Sequence, residues 1–182
     1  MNRTVTLVDA SGTPLGQCDI LQAHTGEGRL HKAFSVFLFN EDGSKTLLQK
    51  RAAGKMLWPG IWANTCCSHP FENEGAIDAG KRRLQEEMGI SCELTEAGDF
   101  VYRALDPFGK GVEHEHDTIL IGTMDQTAAI KPNPDEVAEW KWMKVTDLMQ
   151  DFSDHPELYT PWLMQGLSII ADNAYRRPGY SQ

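Results

Sequence analysis

A chain of 182 residues, 41% hydrophobic and 24% charged, has the balance of one water-soluble folded domain rather than of a disordered or fibrous chain. A formal net charge of −9 argues against nucleic acid or an anionic membrane as the main partner. No apolar run approaches the roughly 20 residues that span a bilayer. The stretch Met1 to Asp9 lacks a basic and then apolar leader, so the cytoplasm is the expected location.

Thr4 to Asp9 alternates as a short strand, which Ser11-Gly12-Thr13-Pro14 turns. Lys32 to Phe39 is rich in aromatic and β-branched residues. With Asn40-Glu41-Asp42-Gly43 and Thr46 to Lys50, it predicts a hairpin. Residues 51 to 73 read as loop, broken by a short strand over Ile61 to Thr65. Ala76 to Met88 is predicted helical: Ile77, Leu84 and Met88 share a face and Gly89 ends it. Phe100 to Leu105, Thr118 to Thr123 and Glu139 to Val145 are predicted strands. Val145 to Asp151 and Thr160 to about Tyr175 are predicted helices, the second with a Thr cap and Pro161 at its first position. The pattern is a mixed α/β sandwich with no sign of a second domain.

Four cysteines sit at 18, 66, 67 and 92, and the adjacent pair argues against a disulfide framework. An anionic ligand would need a local basic cluster against the global charge. Lys50, Arg51 and Lys55 form one candidate; Lys81, Arg82 and Arg83 form another. Either could equally be a solvated face.

His24, His31 and His69, with Glu113 and Glu115, offer an N/O shell for a divalent ion. On an extended segment the two glutamates point to one face, and His114 and His116 to the other. Five or six such ligands suit octahedral Mn²⁺ or Mg²⁺, with Zn²⁺ the alternative. Taken one by one, these residues are as well explained as satisfied polar groups.

The segment from residue 68 to 90 carries the spacing of the Nudix signature, G-x5-E-x7-R-E-U-x-E-E-x-G-U, where U is aliphatic. Glu74, Arg82, Leu84, Glu86, Glu87, Gly89 and Ile90 match it, while Ser68 replaces the first Gly and Arg83 the Glu after the Arg. That Glu belongs to the metal set with which Nudix hydrolases cleave diphosphates. A basic residue there is better placed to hold a diphosphate than to hydrolyse it.

Further segments extend the likeness: His24-Thr-Gly-Glu-Gly-Arg-Leu-His31, Trp58-Pro-Gly-Ile-Trp62 through Cys67-Ser-His69-Pro70, Tyr102-Arg103-Ala104, Glu113-His-Glu115 and Pro161-Trp162. In these the chain resembles the type I isopentenyl diphosphate isomerases. These form the Nudix-fold branch that interconverts isopentenyl and dimethylallyl diphosphates in isoprenoid biosynthesis. The resemblance implies a single α/β domain over residues 1–182, a Nudix-type mixed β-sheet sandwich flanked by helices. Its core covers about 30–150, with an N-terminal strand and loop and a C-terminal helix packed on it.

It implies further that Cys67 and Glu115 are the two proton carriers, with Tyr102 bonded to Glu115. His24, His31, His69, Glu113 and Glu115 would hold a metal. Glu87 would serve a Mg²⁺ that bridges the diphosphate, Arg51, Lys55 and Arg83 would bind the diphosphate, and Trp162 would wall the pocket. A small-molecule diphosphate is then the only partner, with neither nucleic acid nor membrane, and the expected state is a monomer, a dimer being the alternative. Where such families place a basic residue four ahead of the first metal His, this chain has Ile20, and Lys32 is the candidate replacement. Two rivals stand beside this reading: a Nudix hydrolase of nucleoside diphosphates, and a non-catalytic metal-binding module.

Overall fold

The computed structural model describes residues 4–176. Strands β1 (Thr4–Val8) and β2 (Pro14–Asp19) form an antiparallel hairpin. The Asp9 carboxylate ties its turn by accepting from the Ser11 and Thr13 backbone N–H groups. β2 is absent from the sequence reading because Pro14-Leu-Gly-Gln17 is exposed and has no apolar alternation. Asp19 then caps a single helical turn, α1 (Ile20–Ala23), by accepting from the Leu21 N–H at 2.9 Å. That turn delivers His24.

β3 (His31–Phe39) is the centre of a nine-stranded mixed sheet. It runs parallel to β8 (Val112–Thr123) along its whole length, with His31 beside Glu115 and Phe39 beside Thr123. β7 (Thr95–Leu105) continues the sheet antiparallel to β8. Both strands are longer than the sequence predicts: in β8 Glu113, Glu115 and Asp117 face a site rather than apolar core, and in β7 the added Thr95, Glu96 and Asp99 are exposed. β4 (Lys45–Arg51) pairs along its length with β9 (Val137–Lys144).

β3 is buried on both faces, which explains its unbroken apolar run. Phe34, Val36 and Leu38 pack against α2 (Ala76–Met88), whose Ala79, Leu84 and Met88 are buried. Phe37 faces the other way, against Leu163 and Leu167 of α4 (Pro161–Arg176) and Leu148 of α3 (Val145–Asp154). Gly166 lets α4 lie close, since a Cβ there would meet the Phe37 ring at 2.5 Å. Helix, sheet and helix make one α/β domain, and α2 spans the predicted residues, ending at Gly89 with φ 66°.

The predicted β3–β4 hairpin is the main departure. The two strands pair only at Phe39 and Thr46, then part. The segment from β5 (Trp62–Ala63), which pairs with β4, to β6 (Cys66–Ser68), which pairs with β3, enters the gap. At the crossover the Thr65 hydroxyl accepts from the Leu38 N–H at 2.9 Å and donates to the Leu47 carbonyl at 2.7 Å. The Asn64 amide donates to the Val36 and Cys66 carbonyls. Side chains thus satisfy backbone groups that a continuous hairpin would have paired. Periodicity cannot show this, because the partners on β3 and β4 lie 18 to 28 residues away.

Thr65→Val keeps the shape but leaves the buried Leu38 N–H without its acceptor. The expected cost is about 2 kcal/mol, a fall in Tm of roughly 4–8 °C by calorimetry. An unchanged Tm would show that the wedge does not carry the split.

Candidate active site

Five side chains converge on the α4 side of the sheet, at the N-terminal end of β3. His24 is the residue that closes α1, His31 opens β3, His69 follows β6, and Glu113 and Glu115 alternate along β8. One donor atom from each lies within 4.8 Å of all the others. The parallel register places His31 beside Glu115, so a pairing between strands 84 residues apart brings the set together. His114 and His116 point away: His114 Nδ1 lies 3.3 Å from the Gly28 carbonyl and His116 faces Asp99.

The tautomers follow from the backbone. His24 Nδ1 lies 2.7 Å from the Ile20 carbonyl and His31 Nδ1 lies 2.7 Å from the Arg29 carbonyl, so each Nδ1 donates and each Nε2 faces the cluster, able to ligate an ion once it carries no proton. His31 Nε2 and His69 Nε2 approach to 3.1 Å. His24 Nε2 stands 2.8 Å from Glu113 Oε2, an oxygen that no donor reaches with hydrogen-bond geometry. Lone pairs and carboxylates crowded in a buried space are unfavourable unless a cation or protons sit among them. The donor set therefore fits a divalent ion.

Burial disfavours the His24 cation, yet the Glu113 carboxylate outweighs it and raises the pKa to about 9. Burial instead dominates at His69 and lowers it to about 3. Glu115 is desolvated too, but the His31 and His69 contacts hold it well below the usual carboxylate range.

Glu115 has two faces. Its Oε1 lies 2.9 Å from His69 Nε2, and its Oε2 accepts from the Tyr102 hydroxyl at 2.5 Å. Tyr102 sits opposite Glu115 in the β7–β8 ladder. Burial first, then the Glu115 charge, keep it a phenol and a donor.

Cys67 lies on the far flank of β3, across from Ser35. Strand alternation sends its neighbour Cys66 into the core on the α2 side and leaves Cys67 half-buried towards the site. Burial pushes the Cys67 thiol up to about 12, against the pull of the Arg51 guanidinium, whose Nη1 approaches Sγ at 3.6 Å. It is a proton donor at neutral pH, not a thiolate.

A cavity of about 320 Å³ joins these groups; Cys67, His69, Tyr102, Glu115 and Trp162 line it. The Trp162 indole N–H donates to Asn64 Oδ1 at 3.1 Å, and its ring packs edge-on against Trp58 and tilted over Tyr102. Trp58 is held at φ 47°, its N–H bonded to the buried Asp106 carboxylate at 2.7 Å, so a strained residue supports this wall.

Arg51, Lys55 and Arg83 line the same cavity. Arg51 spends its Nε and Nη2 on the Leu57 carbonyl and keeps its charge towards the cavity. Arg83 donates to Glu86, Glu87 and Glu136. Glu87 is fully buried, with Gln49 and Arg83 as its donors.

The NUDIX domain family matches residues 29–163. An isopentenyl-diphosphate Delta-isomerase of Nocardia farcinica is 47% identical over 94% of this chain and 96% of its own. One from Burkholderia multivorans is 43% identical over 97% and 100%. This chain belongs to the isopentenyl-diphosphate Delta-isomerase family, on a Nudix fold. Among solved structures, DR0079 of Deinococcus radiodurans superposes with a TM-score of 0.72 at 17% identity, covering 90% of this chain and 96% of that one. The MutT protein of Methanosarcina mazei gives 0.61 at 16%, over 82% and 96%. Those likenesses concern the fold.

The isomerase-family chain departs from the sequence reading in three places. Lys32 does not replace the missing base at Ile20, because it lies one residue past His31 and faces a separate groove with Thr6 and Pro70. Arg82, in the signature, is structural: it forks onto Glu74 at 2.8 Å and stacks on Phe71. Three polar residues at the site were missed. Asp117 continues the Glu113–Glu115 alternation and takes the Ser35 hydroxyl at 2.7 Å, so the period-2 pattern extended by one step would have found it. Asn64 and Glu136 have no comparable signal; each acquires its partners through tertiary contacts.

The raised thiol has a measurable consequence. Peptide-resolved alkylation of Cys67 should keep accelerating about tenfold per pH unit from pH 7 to 10, because the thiolate fraction is still far from saturation. A plateau near pH 9 would mean an ordinary thiol that is merely shielded.

Proposed function

We propose that this chain converts isopentenyl diphosphate to dimethylallyl diphosphate and back, with Cys67 and Glu115 as the two proton carriers. The observation that supports it best is one cavity with a protonated thiol on one flank of β3 and a tyrosine-bonded carboxylate on the other.

The reaction adds a proton to the terminal alkene carbon, which leaves a tertiary cation, and removes one from the methylene on the diphosphate side. One proton enters and one leaves, so no redox partner is needed. The alkene is unactivated, and the site must supply an acid, a base and a dry wall that tolerates positive charge. Cys67 carries a proton at neutral pH. Glu115 can exchange one through Oε2, where Tyr102 holds the carboxyl and can relay it. The Trp162 face can add about 1–2 kcal/mol to a desolvated cation. Most of the barrier reduction must therefore come from positioning and fixed charges.

A divalent ion in the His24, His31, His69, Glu113 and Glu115 cage would supply positive charge that fixes Glu115 and tunes its acidity. Mn²⁺ or Mg²⁺ suits that donor set, with Zn²⁺ the alternative. Arg51, Lys55 and Arg83 would hold the unreactive diphosphate, and Glu87, buried behind Arg83, would serve a Mg²⁺ that accompanies it. We read the protein as a cytoplasmic monomer; no described helix is long and apolar enough to cross a membrane. Arg83, where the hydrolase signature has Glu, favours holding the diphosphate over cleaving it.

Proton NMR of isopentenyl diphosphate in D₂O with enzyme and Mg²⁺ tests the reading. The expected result is dimethylallyl diphosphate with deuterium incorporated; intact, unexchanged substrate or released phosphate would overturn it. Cys67→Ala should abolish turnover by at least about 10³-fold while metal content, read by elemental analysis, is kept. Glu115→Gln should lose turnover and metal together.

A further inference from the structure

Glu136 lies outside the signature helix, on the loop that leads into β9, yet its carboxylate is built into the cationic end of the cavity. Oε1 accepts from Arg83 Nη2 at 2.9 Å, and Oε2 accepts from the Lys55 ammonium. Its backbone is pinned to two elements. The Glu136 carbonyl accepts from the Ala52 N–H at 3.0 Å, directly after β4. The loop itself is stapled to the end of α2, where the Asn133 N–H donates to the Glu87 carbonyl at 2.8 Å and the Lys131 N–H to the Met88 carbonyl at 3.0 Å. Its position is thus imposed by backbone bonds, not by a chance meeting of side chains. Burial would favour the neutral acid, but Lys55 and Arg83 bring its pKa down to about 2, so the charge is present at neutral pH.

We propose that Glu136 is a specificity-determining residue. It occupies the Lys55–Arg83 cation pair in the free protein, and so admits a diphosphate as its divalent-cation complex in preference to the bare anion. This rests on reading Lys55 and Arg83 as the diphosphate seat. Glu136 and Glu87 already offset the two cations, and the more exposed Glu86 adds a third carboxylate at Arg83. A bare diphosphate ester brings roughly three negative charges. It must displace Glu136 and remain beside it and Glu87, in a protein of net charge −9. Complexed with Mg²⁺ it brings about one, and the metal faces the displaced carboxylate favourably.

The test is calorimetric titration of inorganic pyrophosphate into the purified protein, with millimolar Mg²⁺ and with none added, for the parent and Glu136→Gln. The expected result is parent binding tighter by about tenfold or more with Mg²⁺, and a Gln variant whose Mg²⁺-free affinity rises about tenfold, so that the Mg²⁺ preference shrinks. Glu136→Asp, which keeps the charge, should retain the preference. If the Gln variant does not fold, Glu136→Ala gives the same readout, because backbone bonds hold the loop. Unchanged or weaker Mg²⁺-free binding in the folded variant overturns the proposal while leaving the seat in place. A parent that binds no pyrophosphate even with Mg²⁺ overturns the seat itself and the proposal with it.

Discussion

Everything on the α4 side of the sheet is arranged around a concentration of buried charge that has to be held together. Glu113, Glu115 and Asp117 project from one face of β8 into a space shared with three imidazoles. Burial pushes such carboxylates towards the neutral form, and Asp117 is pushed that way first by burial and then by the Glu115 charge. Glu115 stays ionised because His31 and His69 face it. One strand thus presents two carboxylates two residues apart whose pKa values are pushed in opposite directions, Glu115 down by His31 and His69 and Asp117 up by burial and by Glu115.

That inequality gives the site its chemistry. Under the proposed function, a carboxylate that faces His69 on one oxygen and a phenol on the other could exchange a proton without losing its place. Cys67 reaches the same condition from the other direction, since burial keeps its proton on. Cys67 and Glu115, the two carriers of the proposed reaction, flank β3, so the central strand sets their relation, and the Asn64–Thr65 wedge that parts β3 from β4 makes room for β6 and therefore for Cys67. Asn64 also holds the Trp162 indole, so one residue serves both the split in the sheet and the wall of the cavity.

The anion end follows the same logic with the signs reversed. Lys55 and Arg83 are not free cations awaiting a ligand; they are already paired, and Arg83 donates to three carboxylates. The Nudix helix is kept, and its scaffolding pair Glu74–Arg82 is intact. The change to Arg83 replaces a carboxylate of the signature with a cation, which under the proposed function suits that helix face to hold an anion.

The sequence by itself determined the helix over residues 76–88, the β3 run and the two-faced β8 strand, because each carries a local period that burial enforces. The spacing of Glu113 and Glu115 put both on one face, whereas the candidate metal and diphosphate residues were singled out by the resemblance to the isomerase family. Tertiary structure alone decided that His24, His31 and His69 meet those carboxylates, since a parallel pairing of strands 84 residues apart has no local signature. It decided the parting of the predicted hairpin, the loss of Lys32 as a phosphate ligand, and the placing of Asn64 and Glu136. In each case the deciding bonds run between side chain and distant backbone, or between charges brought close by strand register, and neither leaves a trace in periodicity.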